Sequence, residues 1–203
     1  RSRRGTRALL DPPRMKKMSE KPLGERPRAL VTGASRGIGR AIALALAGEG
    51  ANLALLARTT MATRDTAKAV RKLGRESVSI GADLRDPAAV QAGIDQTIAA
   101  LGGLDVLVHA AGVSWMGPSD SAPPGAWSAL METNLVGAME ATRLALPHLL
   151  KGRAPALIFI ASISAITPFA RGAAYAASKH GLLGFAQSLY EELRGAGLKV
   201  STI

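Results

Sequence analysis

Three side chains in the second half of the chain have the types and spacing needed for proton transfer to a carbonyl oxygen. Tyr175 and Lys179 are four residues apart, so they would leave the same face of a helix. A free phenol is mostly protonated at neutral pH, and a nearby ammonium favours its ionised form. The phenol could then donate a proton to a carbonyl or take one from an alcohol, with Ser162 holding the same oxygen. A Tyr-x-x-x-Lys pair alone is usually a plain helix surface; the serine at the end of the preceding strand favours the catalytic interpretation.

Other polar residues extend or limit this chemistry. Asn134 falls within a long helical segment, where asparagine is mildly unfavourable and usually faces solvent. We expect it instead to bind a water that links Lys179 to bulk solvent. The chain has no cysteine, which excludes disulfides and thiolate chemistry. No metal site is expected, because the three histidines show no ligand spacing: His109, His148 and His180.

A glycine-rich turn near the front of the chain is typical of phosphate binding. It follows a short apolar strand and opens a helix, the context in which glycines let backbone N–H groups approach a pyrophosphate. The spacing is Gly-x-x-x-Gly-x-Gly, and the alternative is that the glycines only make a tight turn. The candidate cofactor ligands in this turn are Gly33, Ser35, Arg36, Gly37, Ile38 and Gly39.

Two arginines favour one form of the dinucleotide. Arg36 lies inside the glycine turn, and Arg58 ends the second predicted strand. Near this second position, an acidic residue typically holds the ribose 2′-hydroxyl, whereas arginine accommodates a 2′-phosphate. No Asp or Glu occurs at residues 57–60, and two guanidiniums suit a phosphate dianion. We therefore predict NADP(H) in preference to NAD(H); the alternative is that Arg58 is a solvated strand-end residue.

Short apolar runs alternate with longer helical segments from residue 28 onward. The predicted strands are residues 29–31, 53–56, 77–80, 105–108, 156–160 and 199–203. The predicted helices are residues 37–47, 61–73, 87–101, 126–150 and 172–194. Four residues of the first helix are expected to face the core: Ile38, Ile42, Ala45 and Leu46. This alternation predicts an α/β fold with a parallel sheet covered on both faces, and ligands bind such sheets at the carboxyl ends of the strands.

Length and charge limit the remaining function classes. The 203 residues suffice for one domain, and no stretch is apolar enough to predict a membrane-spanning helix. The net charge is +11, but residues 1–28 hold ten Lys/Arg against three Asp/Glu, so most of the excess lies in a tail. The composition predicts that residues 1–27 are a disordered basic tail or sequence upstream of a start at Met15 or Met18. Because no basic stripe interleaved with aromatics follows, nucleic-acid binding is not expected.

The combined motifs resemble those of the short-chain dehydrogenase/reductase family. The resemblance covers residues 28–203 and rests on motifs in the family's order and spacing: Thr32-Gly33-x-x-x-Gly37-x-Gly39, Asp83, Ala110-Ala111-Gly112, Asn134, Ser162 and Tyr175-x-x-x-Lys179. It implies an NADP-binding domain with a Rossmann-like, doubly wound parallel sheet. The layers would be α/β/α, and the strand order would be 3-2-1-4-5-6.

The same resemblance implies roles for individual residues. The catalytic residues would be Asn134, Ser162, Tyr175 and Lys179, with Lys179 also holding the nicotinamide ribose. Asp83 and Leu84 would flank the adenine, and Ala110, Ala111 and Gly112 would lie along the cofactor. Four short segments are most similar to 3-oxoacyl-carrier-protein reductase-like members of the family: Gly117-Pro118, Trp127, Asn134-Leu135 and Pro147-His148.

The chain departs from the family pattern in two places. His109-Ala110 replaces an Asn-Asn pair that mainly braces the sheet in the family, so we expect altered local hydrogen bonding rather than lost chemistry. The chain also ends at Ile203, before the segments that supply a substrate cover and a seventh strand in the family. We therefore expect a C-terminally truncated form with that strand missing, in which the sixth strand is an exposed edge.

These inferences predict an NADP(H)-dependent oxidoreductase that transfers hydride between nicotinamide and a carbonyl or alcohol carbon. Its substrate would be a small molecule such as a 3-oxoacyl thioester, including one linked to acyl-carrier protein. An alternative is a non-catalytic nucleotide-binding or scaffold fragment of such an enzyme, and a third is nucleic-acid binding through the basic tail. No membrane partner is expected. A cytoplasmic location is favoured over organellar targeting by the basic N-terminus.

We also expect a homo-oligomer that assembles through the helices at residues 126–150 and 172–194. These helices pair between subunits in the family. Five small residues are expected on their outer faces: Ala141, Ala145, Ala174, Gly181 and Gly184. The alternative is that these positions only pack on the sheet.

Overall fold

The computed structural model describes residues 26–203 as six β-strands that alternate with helices. The strands are β1 Arg28–Thr32, β2 Asn52–Ala57, β3 Ser77–Gly81, β4 Val106–His109, β5 Ala156–Phe159 and β6 Lys199–Thr202. The α-helices are α1 Gly37–Gly48, α2 Arg64–Lys72, α3 Pro87–Leu101, α4 Ala126–Met131, α5 Gly137–Leu149 and α6 Ala173–Leu193. Every predicted strand is present with small shifts at the ends, and so is every predicted helix except the one at residues 126–150, which is divided in two. The predicted basic tail, residues 1–27, lies outside the described residues except for its last two.

The strands form one parallel sheet in the order β3-β2-β1-β4-β5-β6, which confirms the predicted topology. The chain moves outward from β1 to β3 and then returns to place β4 on the other side of β1, so the direction of winding reverses between β1 and β4. Thr32 pairs with Leu56 on one side and with His109 on the other. This register aligns the carboxyl ends of three central strands, where ligands bind in doubly wound sheets.

Successive residues of the strands pack into two separate cores, because side chains alternate between the faces of a sheet. Leu30 and Phe159 pack with the inward residues of α3, α5 and α6. Val31 and Leu53 pack on the other face with residues of α1 and α2, such as Val70. Helices therefore cover both faces of the sheet, which gives the predicted three-layer α/β/α arrangement.

Helix α1 turns its small residues toward the sheet. Its buried positions are Gly39, Ala43 and Ala47, whereas Ile38 is 61% exposed. A Cβ on Gly39 would collide with the carbonyl of Gly33, so the helix begins too close to the preceding turn for a larger side chain to face inward. The predicted inward face was therefore wrong for Ile38 and Ala45, which are exposed, whereas Ile42 and Leu46 are partly buried and pack against the core on this face of the sheet.

The single long helix predicted at residues 126–150 is interrupted by one turn of π-helix. Between α4 and α5 lies the π turn Glu132–Val136, and the Gly137 N–H bonds to the Glu132 carbonyl five residues back. Such turns add a residue to the helical ladder and occur frequently at functional sites. Asn134 belongs to this turn and is only 1% exposed. The helical pattern of the sequence continues on both sides of the turn and does not reveal it.

Candidate active site

The glycine turn between β1 and α1 packs against the segment that follows β4. Gly33 has a φ of +69°, and a Cβ there would lie 2.7 Å from the Ala111 backbone. A Cβ on Gly39 would lie 2.8 Å from the Gly33 carbonyl carbon. Thr32 joins the two segments, because its hydroxyl accepts the Ala111 N–H at 3.2 Å and donates to the Val108 carbonyl at 3.4 Å. Only glycine fits at residues 33 and 39 without moving backbone.

Helix α1 begins without a side-chain cap. Arg36 occupies the cap position in an extended conformation, and the first turn holds no acidic residue. The first N–H groups of an α-helix have no acceptor within the helix and carry a partial positive charge. The N–H groups of Gly37, Ile38 and Gly39 can therefore receive a phosphate.

An open cleft of about 730 Å³ lies at the carboxyl ends of the central strands. Apart from Tyr175 and Lys179, every predicted cofactor residue lines it: Gly33, Ser35, Arg36, Gly37, Ile38, Gly39, Arg58, Asp83, Leu84, Ala110, Ala111 and Gly112. Sequence analysis missed other residues of the lining, among them Arg85, Trp115 and Thr133. Arg85 and Trp115 follow strand ends, which was the available signal, whereas Thr133 reaches the cleft from the π turn.

The carboxylate of Asp83, just after β3, is held by Arg85 and also lies within the influence of the Arg58 charge. Arg85 donates from Nε to Oδ1 at 3.0 Å and from Nη2 to Oδ2 at 2.7 Å. These hydrogen bonds lower the pKa of Asp83 to about 2, and the charge of Arg58 adds to the effect. Arg36 lines the same cleft, so this end of the site carries more positive than negative charge. Such a balance suits an anionic ligand.

Lys179 is a buried cation whose amino group lies beside Tyr175. Lys179 is 5% exposed, and its Nζ donates to the Ile160 carbonyl at 2.9 Å. The same Nζ lies 5.9 Å from the centre of the Tyr175 ring. Burial lowers the pKa of the Lys179 ammonium below its usual 10.5. The two side chains leave the same face of α6, as the spacing predicted.

Ser162 lies after β5 and caps the 3₁₀ turn Ile163–Ala165. Its Oγ accepts the Ser164 N–H at 3.1 Å and donates to the Ser164 Oγ at 3.1 Å. This turn packs against α6, the helix that carries Tyr175. If the Ser162 hydroxyl turned its proton toward another acceptor, the Ser164 N–H would still hold the Ser162 oxygen in place.

The side chain of Asn134 joins three parts of the site. Its Nδ2 donates to the Val113 carbonyl at 2.9 Å and to the Ser178 Oγ at 3.1 Å, while Oδ1 accepts the Val113 N–H at 2.8 Å. Oδ1 keeps a second lone pair, and the water that we expect Asn134 to bind would donate its hydrogen bond there. A Cβ on Gly112 would lie 3.4 Å from this Oδ1 and 3.9 Å from Lys179 Nζ. Both polar atoms thus border the same space beside Gly112.

His109, where the family resemblance predicted altered hydrogen bonding, is enclosed between β4, β5 and α5. Its Nε2 lies 2.9 Å from the Thr142 Oγ1, and its ring stacks on Phe159 with centres 5.0 Å apart. Because the Thr142 hydroxyl donates to the Ala138 carbonyl, it accepts from His109, so Nε2 carries the proton. Nδ1 is buried without a hydrogen-bond partner in the described chain. Burial lowers the pKa of His109 to about 3.

A backbone hydrogen bond connects the loops that follow β4 and β5. The Gly117 N–H donates to the Arg171 carbonyl at 2.9 Å, and Arg171 has a φ of +69°, a strained value for a residue other than glycine. Ile163 and Ile166, next to Ser162, are 76% and 70% exposed. An apolar surface therefore lies beside the candidate catalytic serine.

The part of the chain that the structure describes contains neither a metal centre nor a membrane span. No three His, Cys, Asp or Glu side chains in residues 26–203 are grouped to hold a metal ion. None of the helices there combines the length and apolar character needed to cross a bilayer, including the 21-residue α6.

Comparison with known proteins gives a consistent family assignment. The family model for short chain dehydrogenases matches residues 27–203. The 3-oxoacyl-[acyl-carrier-protein] reductase FabG of Staphylococcus aureus is 35% identical over 176 residues, which cover 86% of this chain and 72% of that protein. This chain spans 56% to 72% of the length of several curated relatives.

Solved structures of the same kind share the fold. A short chain dehydrogenase from Burkholderia cenocepacia in complex with NADP has a TM-score of 0.81 and 36% identity, covering 87% of this chain and 72% of that one. A carveol dehydrogenase from Mycobacterium avium in complex with NAD has a TM-score of 0.81 and 28% identity, covering 86% and 68%. Because the family model spans nearly all of the described residues, this protein belongs to the short-chain dehydrogenase/reductase family of oxidoreductases.

Proposed function

We propose that this protein interconverts a carbonyl compound and its alcohol, with NADP(H) as cofactor. The observation that carries the proposal is the buried Lys179 amino group, 5.9 Å from the centre of the Tyr175 ring. No carboxylate forms an ion pair with Lys179 within residues 26–203. An unpaired cation favours the anionic form of a neighbouring acid. Tyr175 is therefore the proposed proton donor in reduction and the proton acceptor in oxidation.

The cleft residues fit a nicotinamide dinucleotide. The close packing of backbone at Gly33 and Gly39 fixes the turn, Gly37 leaves open space, and the uncapped start of α1 provides N–H donors for a pyrophosphate. Arg36 and Arg58 suit a 2′-phosphate, and no acidic residue at positions 57–60 is present to hold a ribose 2′-hydroxyl. One solved relative carries NADP and another NAD, so the proposed preference for NADP(H) depends on these arginines.

The chain's own residues provide the proton chemistry of the reaction. When bound, the nicotinamide supplies or accepts hydride at the substrate carbon. Tyr175 donates its phenolic proton to the substrate oxygen, and Lys179 stabilises the phenolate that remains. Ser162 donates a second hydrogen bond to the same oxygen, while the Ser164 N–H keeps its Oγ in place. A water between Asn134 Oδ1 and Lys179 Nζ, beside Gly112, would exchange protons with solvent.

A 3-oxoacyl thioester is the proposed substrate class. The similarity to FabG of Staphylococcus aureus supports it, because that protein is a 3-oxoacyl-[acyl-carrier-protein] reductase. The exposed side chains of Ile163 and Ile166 beside Ser162 offer apolar contact for an acyl chain.

We also propose that copies of this chain assemble through α4, α5 and α6, but the residues that would form the contact differ from those expected from the sequence. Ala141 and Ala145 are buried in the subunit's own core, and a Cβ on Gly181 would lie 2.7 Å from Leu135 of the same subunit. The alternative that small residues pack internally therefore holds for these three positions. Val136 and Met139 are 54% and 39% exposed. We propose that they contribute to a contact between two copies of the chain. Light scattering during gel filtration would give the molecular mass of the assembly.

A combined binding and turnover experiment tests the proposal. NADPH and NADH are titrated by fluorescence, and NADPH oxidation is followed with acetoacetyl-coenzyme A as substrate. We expect NADPH to bind on the order of tenfold more tightly than NADH, and Arg58→Ala to remove most of the difference. NADPH binding without oxidation, over a broad panel of carbonyl compounds, would favour the non-catalytic alternative.

A further inference from the structure

The hydroxyl of Ser164 is a buried group whose one hydrogen-bond partner within residues 26–203 is the Ser162 hydroxyl. Ser164 is 3% exposed, and its Oγ accepts the Ser162 hydroxyl at 3.1 Å. Ser162 itself is half-buried, so a ligand has access to Ser162, whereas Ser164 is enclosed by protein. Burying a hydroxyl costs free energy unless the group is hydrogen-bonded, so the contact with Ser162 satisfies Ser164.

The 3₁₀ turn that carries these serines does not need the Ser164 hydroxyl to form. Its backbone is closed by the Ala165 N–H on the Ser162 carbonyl at 2.9 Å and by the Ile166 N–H on the Ile163 carbonyl at 3.1 Å. The Ser162 side chain caps the turn by accepting the backbone N–H of Ser164 at 3.1 Å. None of these bonds uses the side chain of Ser164, so its hydroxyl is not needed to close the turn.

The two serine hydroxyls can exchange their roles as donor and acceptor. Each hydroxyl has one proton and two acceptor lone pairs. On Ser162, one lone pair accepts the Ser164 N–H, and the second stays available. The proton of the Ser164 hydroxyl can reach that second lone pair, because the two oxygens are 3.1 Å apart. Rotation of the two protons therefore reverses the hydrogen bond while both oxygens stay in place.

This reversal becomes important when Ser162 donates to a substrate oxygen. Ser162 has a single proton, so donation to the substrate ends its donation to Ser164. The Ser164 hydroxyl can then turn and donate to Ser162, and the buried hydroxyl keeps its partner. A hydroxyl that accepts a hydrogen bond becomes a stronger donor, because hydrogen bonds in a chain polarise one another. The stabilisation increases as negative charge develops on the substrate oxygen.

We propose that Ser164 is a positioning residue whose hydroxyl donates to the Ser162 Oγ while Ser162 donates to the substrate oxygen. The step rearranges hydrogen bonds only, since the proton that the substrate receives still comes from Tyr175. This inference depends on the proposed carbonyl reduction, and it adds a side chain that acts on the substrate only through Ser162. The alternative is that Ser164 only packs the turn against α6.

A double-mutant cycle between the two serines tests the proposal. Turnover of acetoacetyl-coenzyme A with NADPH is measured for the 203-residue chain, for Ser162→Ala, for Ser164→Ala and for the double variant. We expect Ser164→Ala to lower kcat on the order of tenfold, as for the loss of one hydrogen bond to a developing charge. In the Ser162→Ala background, the same change should lower kcat by less than about twofold, because Ser164 acts only through Ser162. Ser164→Thr keeps the hydroxyl and should retain most of the activity.

Ligand binding provides a second readout that does not require turnover. The dissociation constant of acetoacetyl-coenzyme A is measured by calorimetry in the presence of NADP+, which cannot donate hydride. The carbonyl oxygen stays neutral in this complex, so Ser164→Ala should weaken binding only about threefold, which is less than the loss in kcat. The double-mutant cycle should show the same non-additivity in these dissociation constants.

Thr97→Val is the control for the loss of a buried hydroxyl. Thr97 is fully buried on α3 and lies outside the cleft lining, and its Oγ1 donates to the Gly93 carbonyl at 2.8 Å. This variant should keep the kcat of the unmodified chain. Thermal unfolding of every variant verifies that its fold persists.

Contrary results would separate the alternatives. If Ser164→Ala lowers kcat equally with and without the Ser162 hydroxyl, Ser164 only supports the turn, and the proposal is overturned. An unchanged kcat in Ser164→Ala would overturn it as well, and so would a folded Ser164→Thr variant as slow as Ser164→Ala. If the unmodified chain does not oxidise NADPH with the ketone, the proposed function itself fails, and the cycle in dissociation constants then decides the role of Ser164.

Discussion

The amino group of Lys179 lies 5.9 Å from the centre of the Tyr175 ring and donates to the Ile160 carbonyl, which follows β5. This contact connects the helix that carries the phenol to the strand end that carries Ser162. A buried cation without a carboxylate partner lowers stability relative to an apolar side chain. In the proposed reaction, its charge would stabilise the phenolate of Tyr175. The first two predictions concern residues around this amino group.

Tyr175→Phe should remove the acid/base group while keeping the ring. We expect turnover to fall by at least about 100-fold, the contribution typical of a positioned general acid. The dissociation constant for NADPH should change little. Tyr190→Phe is the matched control, because Tyr190 lies on the same helix, is 47% exposed and is remote from the cleft lining; it should retain activity. Turnover that persists in Tyr175→Phe would reject the proposed mechanism.

Asn134→Ala should loosen the connection between the π turn and the loop after β4. It leaves both backbone polar groups of Val113 without their partners, so we expect a loss of about 2–3 kcal/mol in the free energy of unfolding. Urea denaturation measures this loss. Ser178→Ala removes the third bond of the same side chain, together with the bond from the Ser178 hydroxyl to the Tyr175 carbonyl, and should lower stability by about 1 kcal/mol. Equal losses of stability in the two variants would contradict the inference that Asn134 holds the Val113 backbone through two hydrogen bonds.

The two positive-φ glycines of the cofactor turn should respond differently to alanine. Gly37 has open space around it, so Gly37→Ala should lower stability by about 1 kcal/mol through backbone strain alone. Gly33→Ala adds a collision 2.7 Å from the Ala111 backbone, and we expect a loss of about 3 kcal/mol or more. Chemical denaturation of both variants provides the comparison, and similar losses would show that the close approach to Ala111 relaxes easily.

His109 should make the fold sensitive to acid. Burial lowers its pKa to about 3, whereas the unfolded chain takes up a proton near pH 6.5. Stability from this group is therefore present above pH 6.5 and is lost as the pH falls toward 3, by about 2 kcal/mol between pH 7 and pH 5. His109→Phe keeps the stacking on Phe159 and removes the titration, so this part of the acid loss should disappear in urea titrations. His180→Gln, at an exposed site on α6, should behave as the unmodified chain does; an equally steep acid loss in His109→Phe would contradict the assignment.

Local sequence patterns were sufficient to predict the order of strands and helices. They also identified the residues whose chemical type the turn or the proposed reaction requires. The glycines at 33 and 39 were identified because strand–turn–helix context makes bare backbone recognisable. Tyr175 and Lys179 were identified because a spacing of four residues determines their relation within any α-helix. Strand order followed from the family resemblance, and the sheet confirms it.

Interactions between distant segments could not be predicted in the same way. The inward face of α1 was predicted only in part, because the close approach of the helix to the Gly33 backbone places Gly39, Ala43 and Ala47 innermost and leaves Ile42 and Leu46 at the margin of the core. Arg85 was missed because nothing in a local pattern indicates that its side chain turns back onto Asp83.

The sequence by itself determined the alternation of strands and helices, the glycine positions of the turn and the Tyr175–Lys179 pair, since each depends on neighbours within a few residues. Only the tertiary structure decided that Asn134 holds the Val113 backbone and that Lys179 is buried with no acidic partner among residues 26–203. These features arise where α5, α6 and the loops after β4 and β5 meet. Burial and hydrogen-bond partners depend on that packing, which residues far apart in the chain create together.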